Sequence, residues 1–435
     1  MGAMMKFTAS GDALIMRNFP GGYEGYQEVK EFLNLGDARI TNLETTLTDR
    51  SCFPSTFSGG TWLTAPESVL DDLVELGFNL YSVANNHMLD YSYGGLLQTL
   101  EAMKKRGLHY AGAGENPARA SEPAIVDLPS GRVAFIAVTS TFDDTARAGI
   151  QGPYLPGRPG VNFLRHKEIF YVNSSHMQQL KEIADATDLN VKNKRRFKTG
   201  YKLQAADGTF ELKDLQFKES ETEGKETKAN GKDLERIKRE ILNAKQLADY
   251  VVVMIHSHEM KTDRMEDVPD FVAESAHEFI DAGACMVLGG GTHQLKAVEI
   301  YQGKPIFYSL GNFVYQNEFV GILPPEFMDK YHLSYDTTAM EALAARRSHA
   351  KNKGMQSREN YLSVIPYVEM EGDCVKEIRL MPISLGPDKG KSFRAIPYPA
   401  DEEEKQEIFR VLTDLSAEYG TRFEMDSEGM IRILI

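Results

Sequence analysis

Six residues able to hold a cation or move a proton each follow directly on a short apolar run: Asp12, Glu44, Asn86, His87, His256 and His293. Such runs read as strands, and in α/β sheets the loops at strand carboxyl ends gather at one edge to form the site. Carboxylate, amide and imidazole groups together suit a divalent ion (Mn, Zn, Fe or Mg), one or two of them. A shared carboxylate can bridge two ions about 3.5–4 Å apart, which activate a water and clamp a phosphoryl or carbonyl oxygen. Singly, each signal is weak. An Asp after a strand is usually a turn residue, Asn85-Asn86 reads as a turn, and a histidine beside a buried strand is often satisfied in the core. The coincidence of six carries the reading. His109, His166, His176, His277, His332 and His349 follow no comparable run and are read as structural.

The elements that must position these residues alternate along the first half of the chain. Strands are predicted at Lys6–Ser10, ending at Gly11-Asp12, and at Ala38–Leu43, ending at Glu44. Pro66–Leu76 has helical apolar spacing, with Pro66 suited to a first turn and Gly77 to a C-terminal cap. Phe78–Ala84 reads as a buried strand before Asn85-Asn86-His87, Gly94–Arg106 as a helix and Arg132–Thr139 as a strand. The pattern resumes with a helix at Asp233–Ala248, a strand at Tyr250–Ile255 running into His256, and a helix at Val268–Ala282. A strand at Cys285–Leu288 leads into Gly289-Gly290-Gly291-Thr292-His293. Hairpins are expected around Gln302-Gly303-Lys304 and around Glu371-Gly372-Asp373. Alternation followed by hairpins implies α/β architecture with a mixed sheet, or two packed sheets, and helices outside.

Residues 4–390 read as one domain with two interruptions, followed by a C-terminal extension at 391–435, in which Asp401–Ile435 reads as a helix plus a short strand. The first interruption, 191–232, is rich in Lys, Glu, Gly and Thr and reads as a solvated insertion. Within it, 201–217 could form a hairpin around Asp207-Gly208. The second, 331–360, reads as a helical excursion. A formal net charge of -14 argues against non-specific binding to nucleic acid or anionic membrane. It does not exclude an anionic substrate, because bound ions dominate the local field of a site. No apolar run is long enough for a signal segment or a membrane span. Cys52, Cys285 and Cys374 fit neither a disulfide framework nor a zinc finger, which points to free thiols in a reducing, cytoplasmic setting.

At the same residues the chain resembles the CapA family of poly-γ-glutamate capsule biosynthesis proteins, within the calcineurin-like metallophosphoesterase superfamily. The pieces that carry the resemblance are Gly11-Asp12, Asn42-Leu43-Glu44, Ala84-Asn85-Asn86-His87, His256-Ser257-His258-Glu259 and Gly289…His293-Gln294. They continue through Gly303-Lys304-Pro305-Ile306-Phe307-Tyr308-Ser309-Leu310-Gly311-Asn312-Phe313, and Arg158-Pro159-Gly160-Val161-Asn162 with Arg165 is similar to a further loop of the family. The resemblance implies a four-layer α/β/β/α sandwich with a two-metal site at one edge. It implies Asp12, Glu44, Asn86, His256 and His293 as metal ligands, with Glu44 in the bridging place, and His87 as the histidine that stabilises the transition state or protonates the leaving group. Asn85, Arg158, Arg165, His258 and Glu259 are the expected substrate-binding residues. The sequence departs from the superfamily where Leu14 and Gly290 stand in place of histidine ligands.

Two functions compete. One is a metal-dependent hydrolase that cleaves a phosphoester or a γ-glutamyl or other amide bond with activated water, on a small molecule or a γ-glutamyl polymer. In it, Arg158 and Arg165 would orient a substrate anion. The other is a non-catalytic protein that binds an anionic ligand on a degenerate form of the fold, which Leu14 and Gly290 favour. A nucleotide-binding reading fails because Gly289-Gly290-Gly291 precedes a hairpin rather than a helix N-terminus.

Overall fold

The computed structural model describes residues 4–57, 60–203, 208–349 and 357–435. Its core is two mixed sheets. In the larger, the central strand Met5–Leu14 runs parallel to Ala38–Leu43 and Asn312–Tyr315 and antiparallel to Leu362–Glu371. Leu80–Ser82 and His109–Ala111 extend it on one side, and Cys374–Ser384, Ile431–Leu434 and Arg422–Met425 on the other. The smaller sheet runs in the order Val298–Tyr301, Lys304–Phe307, Met286–Gly291, Tyr250–Ser257, Gly131–Thr139, Ala124–Leu128.

The period-two alternation of each strand decides what faces what. Val252 and Met254 join Phe135, Leu288 and Phe307 in one apolar cluster with Phe7, Ile40, Leu80 and Val364 of the larger sheet. Val251, Val253 and Ile255 point the other way, against Ile237, Ile241, Phe271 and Phe279 of the helices Gly231–Leu247 and Asp270–Asp281. The other face of the larger sheet, through Leu43, Tyr81 and Ile365, packs on Leu33, Leu73, Leu96 and Leu100. Those leucines belong to the helices Tyr26–Leu33, Val69–Leu76 and Ser92–Lys105. Strands buried on both faces read as near-continuous apolar runs, which is why Tyr250–Ser257 was so conspicuous in the sequence.

Three segments differ from expectation. Residues 191–232 are not a bare solvated loop: the helix Val191–Lys198 is followed by a hairpin, Phe210–Leu212 with Leu215–Glu219. That hairpin and Gly224–Ala229 join His166–Val172 in a separate four-stranded sheet. Its turn lies at Lys213-Asp214, and the Asp207 of the expected turn lies outside the described residues. From Asp401 onward the tail carries two strands rather than one. Ile431–Leu434 hydrogen-bonds to Cys374–Ser384 and Arg422–Met425 to Ile431–Leu434 at the edge of the larger sheet, and Ile408, Leu412 and Ile431 enter the inter-sheet cluster. The stretch 331–360 holds the helix Ala339–Ser348 and a 3-10 turn at Arg358–Tyr361, with 350–356 outside the described residues. The three cysteines are unpaired, and among the described residues no helix is long and apolar enough to cross a membrane.

Candidate metal centre

The carboxyl ends of the central strands of both sheets meet at one edge. Asp12 sits just after a register shift in its strand, beside Asn42 on one neighbour and Asn312 on the other. An irregularity of this kind re-aims a side chain. It also needs a close approach: a Cβ on Gly11 would lie 1.8 Å from the Gly311 carbonyl oxygen, so only glycine fits. The Asp12 carboxylate then accepts from Asn42 Nδ2 at 2.8 Å and from the Gly291 amide at 2.7 Å, which ties the two sheets together.

Around that anchor the structure gathers the other donors. Asp12, Glu44 and His293 each offer a ligand atom within 4.8 Å of the others, and so do Glu44, His256 and His258. His256 Nε2 is 2.8 Å from Asn86 Oδ1, 3.1 Å from His258 Nε2 and 3.5 Å from Glu44 Oε1. His293 Nδ1 lies 2.9 Å from Asn312 Oδ1, and the His293 carbonyl accepts from the side-chain amides of Asn312 and Asn360. These bonds hold His293 at φ 60°, a left-handed conformation rare for a residue with a side chain.

The electrostatics of this cluster are unusual. Glu44 is fully buried, and neither of its carboxylate oxygens receives a hydrogen bond. Burial, with Asp12 and Asp90 nearby, pushes it well above the ordinary carboxylate range. Burial also works against the charge on Asp12, but His256 and His293 outweigh it and hold Asp12 below its usual value. His293 is lowered to about 4, chiefly by burial, and His258 is pushed well down by removal from water and by His256, His293 and His87. Both imidazoles are therefore neutral near pH 7 with lone pairs available, the form that binds a metal. A buried carboxylate without donors, ringed by neutral imidazoles, is a costly arrangement that a cation would relieve. The donor set fits a divalent ion, and one carboxylate shared by two groups of ligands fits a bridging place.

His87 lies at the edge of this cluster, near enough to bear on His258 and His293. Its Nδ1 is 2.7 Å from Asp90 Oδ2, which also accepts from the Leu63 amide, so the ring is fixed in orientation. Asn85 is turned inward: it donates to Asn42 Oδ1 and the Leu43 carbonyl and accepts from the His87 amide, fastening the Asn85–His87 turn to the neighbouring strand. A cavity of about 440 Å³ opens beside Asn86 and His258, lined further by Ser55, Phe57, Thr141, Phe142, Asp143 and Thr145.

The remaining residues expected at a substrate are occupied elsewhere. Arg165 makes a two-pronged pair with Asp233 at 2.7 and 2.8 Å, and Arg158 donates to the Arg147 carbonyl. Neither lines the cavity. Glu259 accepts hydroxyl hydrogens from Ser140, Thr141 and Ser257, which brace the strand end carrying His256. His258, expected at a substrate, lines the cavity and also stands among the possible ligand atoms. The signal was available, since residues two apart on an extended strand share a face. Asn42 and Asn312 stood in recognisable stretches but were given no role, and Asp90 was overlooked. Leu14 packs with Leu63 and Tyr315 in an apolar cluster.

Comparison with known proteins agrees with the resemblance. The profile of the family described as Bacterial capsule synthesis protein PGA_cap matches residues 6–317. The uncharacterized protein y4sH of Sinorhizobium fredii is 31% identical over 442 residues, covering 98% of this chain and 92% of the relative. The Capsule biosynthesis protein CapA of Bacillus anthracis is 25% identical over 278 residues, 64% of this chain but only 50% of that relative. The PGA biosynthesis protein CapA of Bacillus subtilis is 36% identical over 98 residues, 22% of this chain and 25% of that relative.

Proposed function

The chain belongs to the bacterial capsule synthesis protein PGA_cap family, and from that premise we propose that it is a metal-dependent hydrolase of a phosphoester or a γ-glutamyl or other amide bond. The observation that carries the reading is Glu44, whose two buried oxygens lack donors while three imidazoles and Asp12 surround it. The layering supports the same reading, since two sheets sharing an apolar interface with helices packed outside them are what an α/β/β/α sandwich of the metallophosphoesterase kind would require. The link to poly-γ-glutamate rests on the family resemblance and on the name of the Bacillus subtilis relative, PGA biosynthesis protein CapA, and is part of the proposal.

In this reading Asp12, Glu44, Asn86, His256 and His293 hold the ion. A divalent ion supplies positive charge to polarise the scissile group and lowers the pKa of water bound to it. The protein's own residues do the rest. His258 faces the scissile group from the wall of the cavity, which Phe57 and Phe142 also line. His87, oriented by Asp90, delivers a proton to the departing oxygen or nitrogen. Burial of the donors on strand ends fixes them before substrate arrives, so little reorganisation is needed.

The test is elemental analysis of the purified protein together with a panel of phosphodiesters and γ-glutamyl peptides. A divalent metal in the protein, and turnover abolished by a chelator and restored by added metal, is the expected result. Metal-free protein with undiminished turnover would overturn the mechanism, and binding without turnover at saturating metal would favour a non-catalytic binder.

A further inference from the structure

The insertion carries an exposed basic face that the metal centre does not use. Residues 191–203 hold Lys192, Lys194, Arg195, Arg196, Lys198 and Lys202 and no acidic residue, within a chain of formal net charge -14. In the helix Val191–Lys198, Asn193 is buried and Phe197 half-buried. At about 3.6 residues per turn, Val191, Lys192, Arg195 and Lys198 therefore stand on the opposite, exposed face. The helix is fixed to the adjoining hairpin: Asn190 Nδ2 donates to the Glu211 carbonyl at 2.6 Å and Asn193 Nδ2 to the Lys213 carbonyl at 2.7 Å. Among the described residues, the ion pairs of this stretch are Lys194 with Asp185 and Lys202 with Glu211, and Lys192, Arg195, Arg196 and Lys198 make none. Like charges three and four positions apart repel along a helix. The face thus opposes the helix that carries it, and an anionic surface would relieve it.

We propose that this face docks the protein on an anionic lipid bilayer. Its apolar neighbours select that occupant. Tyr201 is 88% exposed, Leu203 87% and Val191 57%, all beside the free cations. A soluble polyanion gains nothing from exposed aliphatic and aromatic groups. A bilayer interface takes them in below the headgroups, with tyrosine at headgroup level and the cations among the phosphates. The negative charge of the whole chain does not forbid this, because salt limits its reach to about 10 Å at about 0.1 M. A bilayer against this face meets the local cations first. Each Lys or Arg near such a surface strengthens binding about fivefold. None of these residues belongs to the metal centre, so the docking stands or falls independently of the hydrolase reading.

The experiment is sedimentation of the full chain, in chelator, with vesicles of phosphatidylcholine alone or mixed with phosphatidylglycerol. Wild type should pellet with the mixed vesicles only and be released at about 1 M salt, where screening acts within about 3 Å. Lys192→Gln with Arg195→Gln should weaken binding about 25-fold. Tyr201→Ser with Leu203→Ser should weaken it at unchanged charge. Lys104→Gln with Lys105→Gln, exposed on another helix, should leave it unchanged. No pelleting of wild type with the mixed vesicles, or equal losses in the Lys104 and Lys105 pair, would overturn the proposal. So would retention by soluble poly-glutamate that needs Lys192 and Arg195 but not Tyr201 and Leu203, with vesicles ignored, which would make the occupant a soluble polyanion.

Discussion

Removing the charge of Glu44 should separate its two roles, because the residue strains the metal-free protein and anchors the loaded one. In the metal-free chain its carboxylate is buried with no donor on either oxygen. Leaving a buried polar group unsatisfied costs about 1–3 kcal/mol, so Glu44→Gln should leave the metal-free protein as stable as wild type or more stable by that order. For a chain of this length the entropy of unfolding is near 0.9 kcal/mol per degree, so about 1 kcal/mol corresponds to about 1 °C. With manganese at about one hundred times the wild-type Kd, binding adds about 2.7 kcal/mol, roughly 3 °C. If the substitution weakens binding about one hundred-fold, the same manganese adds only about 0.4 kcal/mol, under about 1 °C. Thermal melts in chelator and in manganese read both effects. The metal affinity of wild type should fall as pH drops, since Glu44 is held above its usual range and must be ionised to bind a cation. A Glu44→Gln protein that melts several degrees below wild type in chelator, or keeps the full manganese shift, would refute the reasoning.

Three further outcomes follow from single groups. His87→Asn should lower kcat by about 10²–10⁴-fold with metal content unchanged, while Asp90→Asn, which only releases the ring, should cost less; steady-state kinetics with elemental analysis distinguishes them. Lys296 is buried, donates to the Asp267 carbonyl, and is lowered to about 8 by burial. Its folded value lies below its unfolded one, so its unfavourable contribution is present in full below pH 8 and fades as pH rises toward 10.5. Wild type should therefore gain up to about 3 kcal/mol relative to Lys296→Met across that window, readable by denaturant melts at each pH. Cys285 is buried with its thiol pushed up to about 12, whereas Cys374 is exposed. A thiol reagent should therefore label Cys374 in the native protein and reach Cys285 only in denaturant.

The strand ends were legible because their signal is local. A strand buried on both faces must be an apolar run, and a polar residue that ends such a run is conspicuous, as at Ile255-His256 or Leu43-Glu44. The four-stranded sheet around His166–Val172 was not legible, because its strands are half exposed and held by pairs such as Lys225 with Glu168. Charged cross-strand pairs look in sequence like a solvated linker. The strand Leu80–Ser82 is shorter than the apolar run Phe78–Ala84: Phe78 packs edge-on against Phe313 before the ladder begins, and Val83 ends it with a hydrogen bond to the Ala111 carbonyl. At the site, Asp12 and His293 could be read from their place after strands, whereas Asn42 and Asn312 act by orienting them and carry no pattern of their own. The commitment of Arg165 to Asp233 joins residues 68 positions apart, which no local pattern reports.

The most direct test is a crystal of the protein soaked in zinc and measured at the zinc absorption edge. Anomalous density about 2.0–2.2 Å from a Glu44 carboxylate oxygen, with imidazole nitrogens of His256, His258 or His293 completing the coordination, is the predicted result. Zinc found only elsewhere, with the Glu44 oxygens still without a partner, would contradict the account.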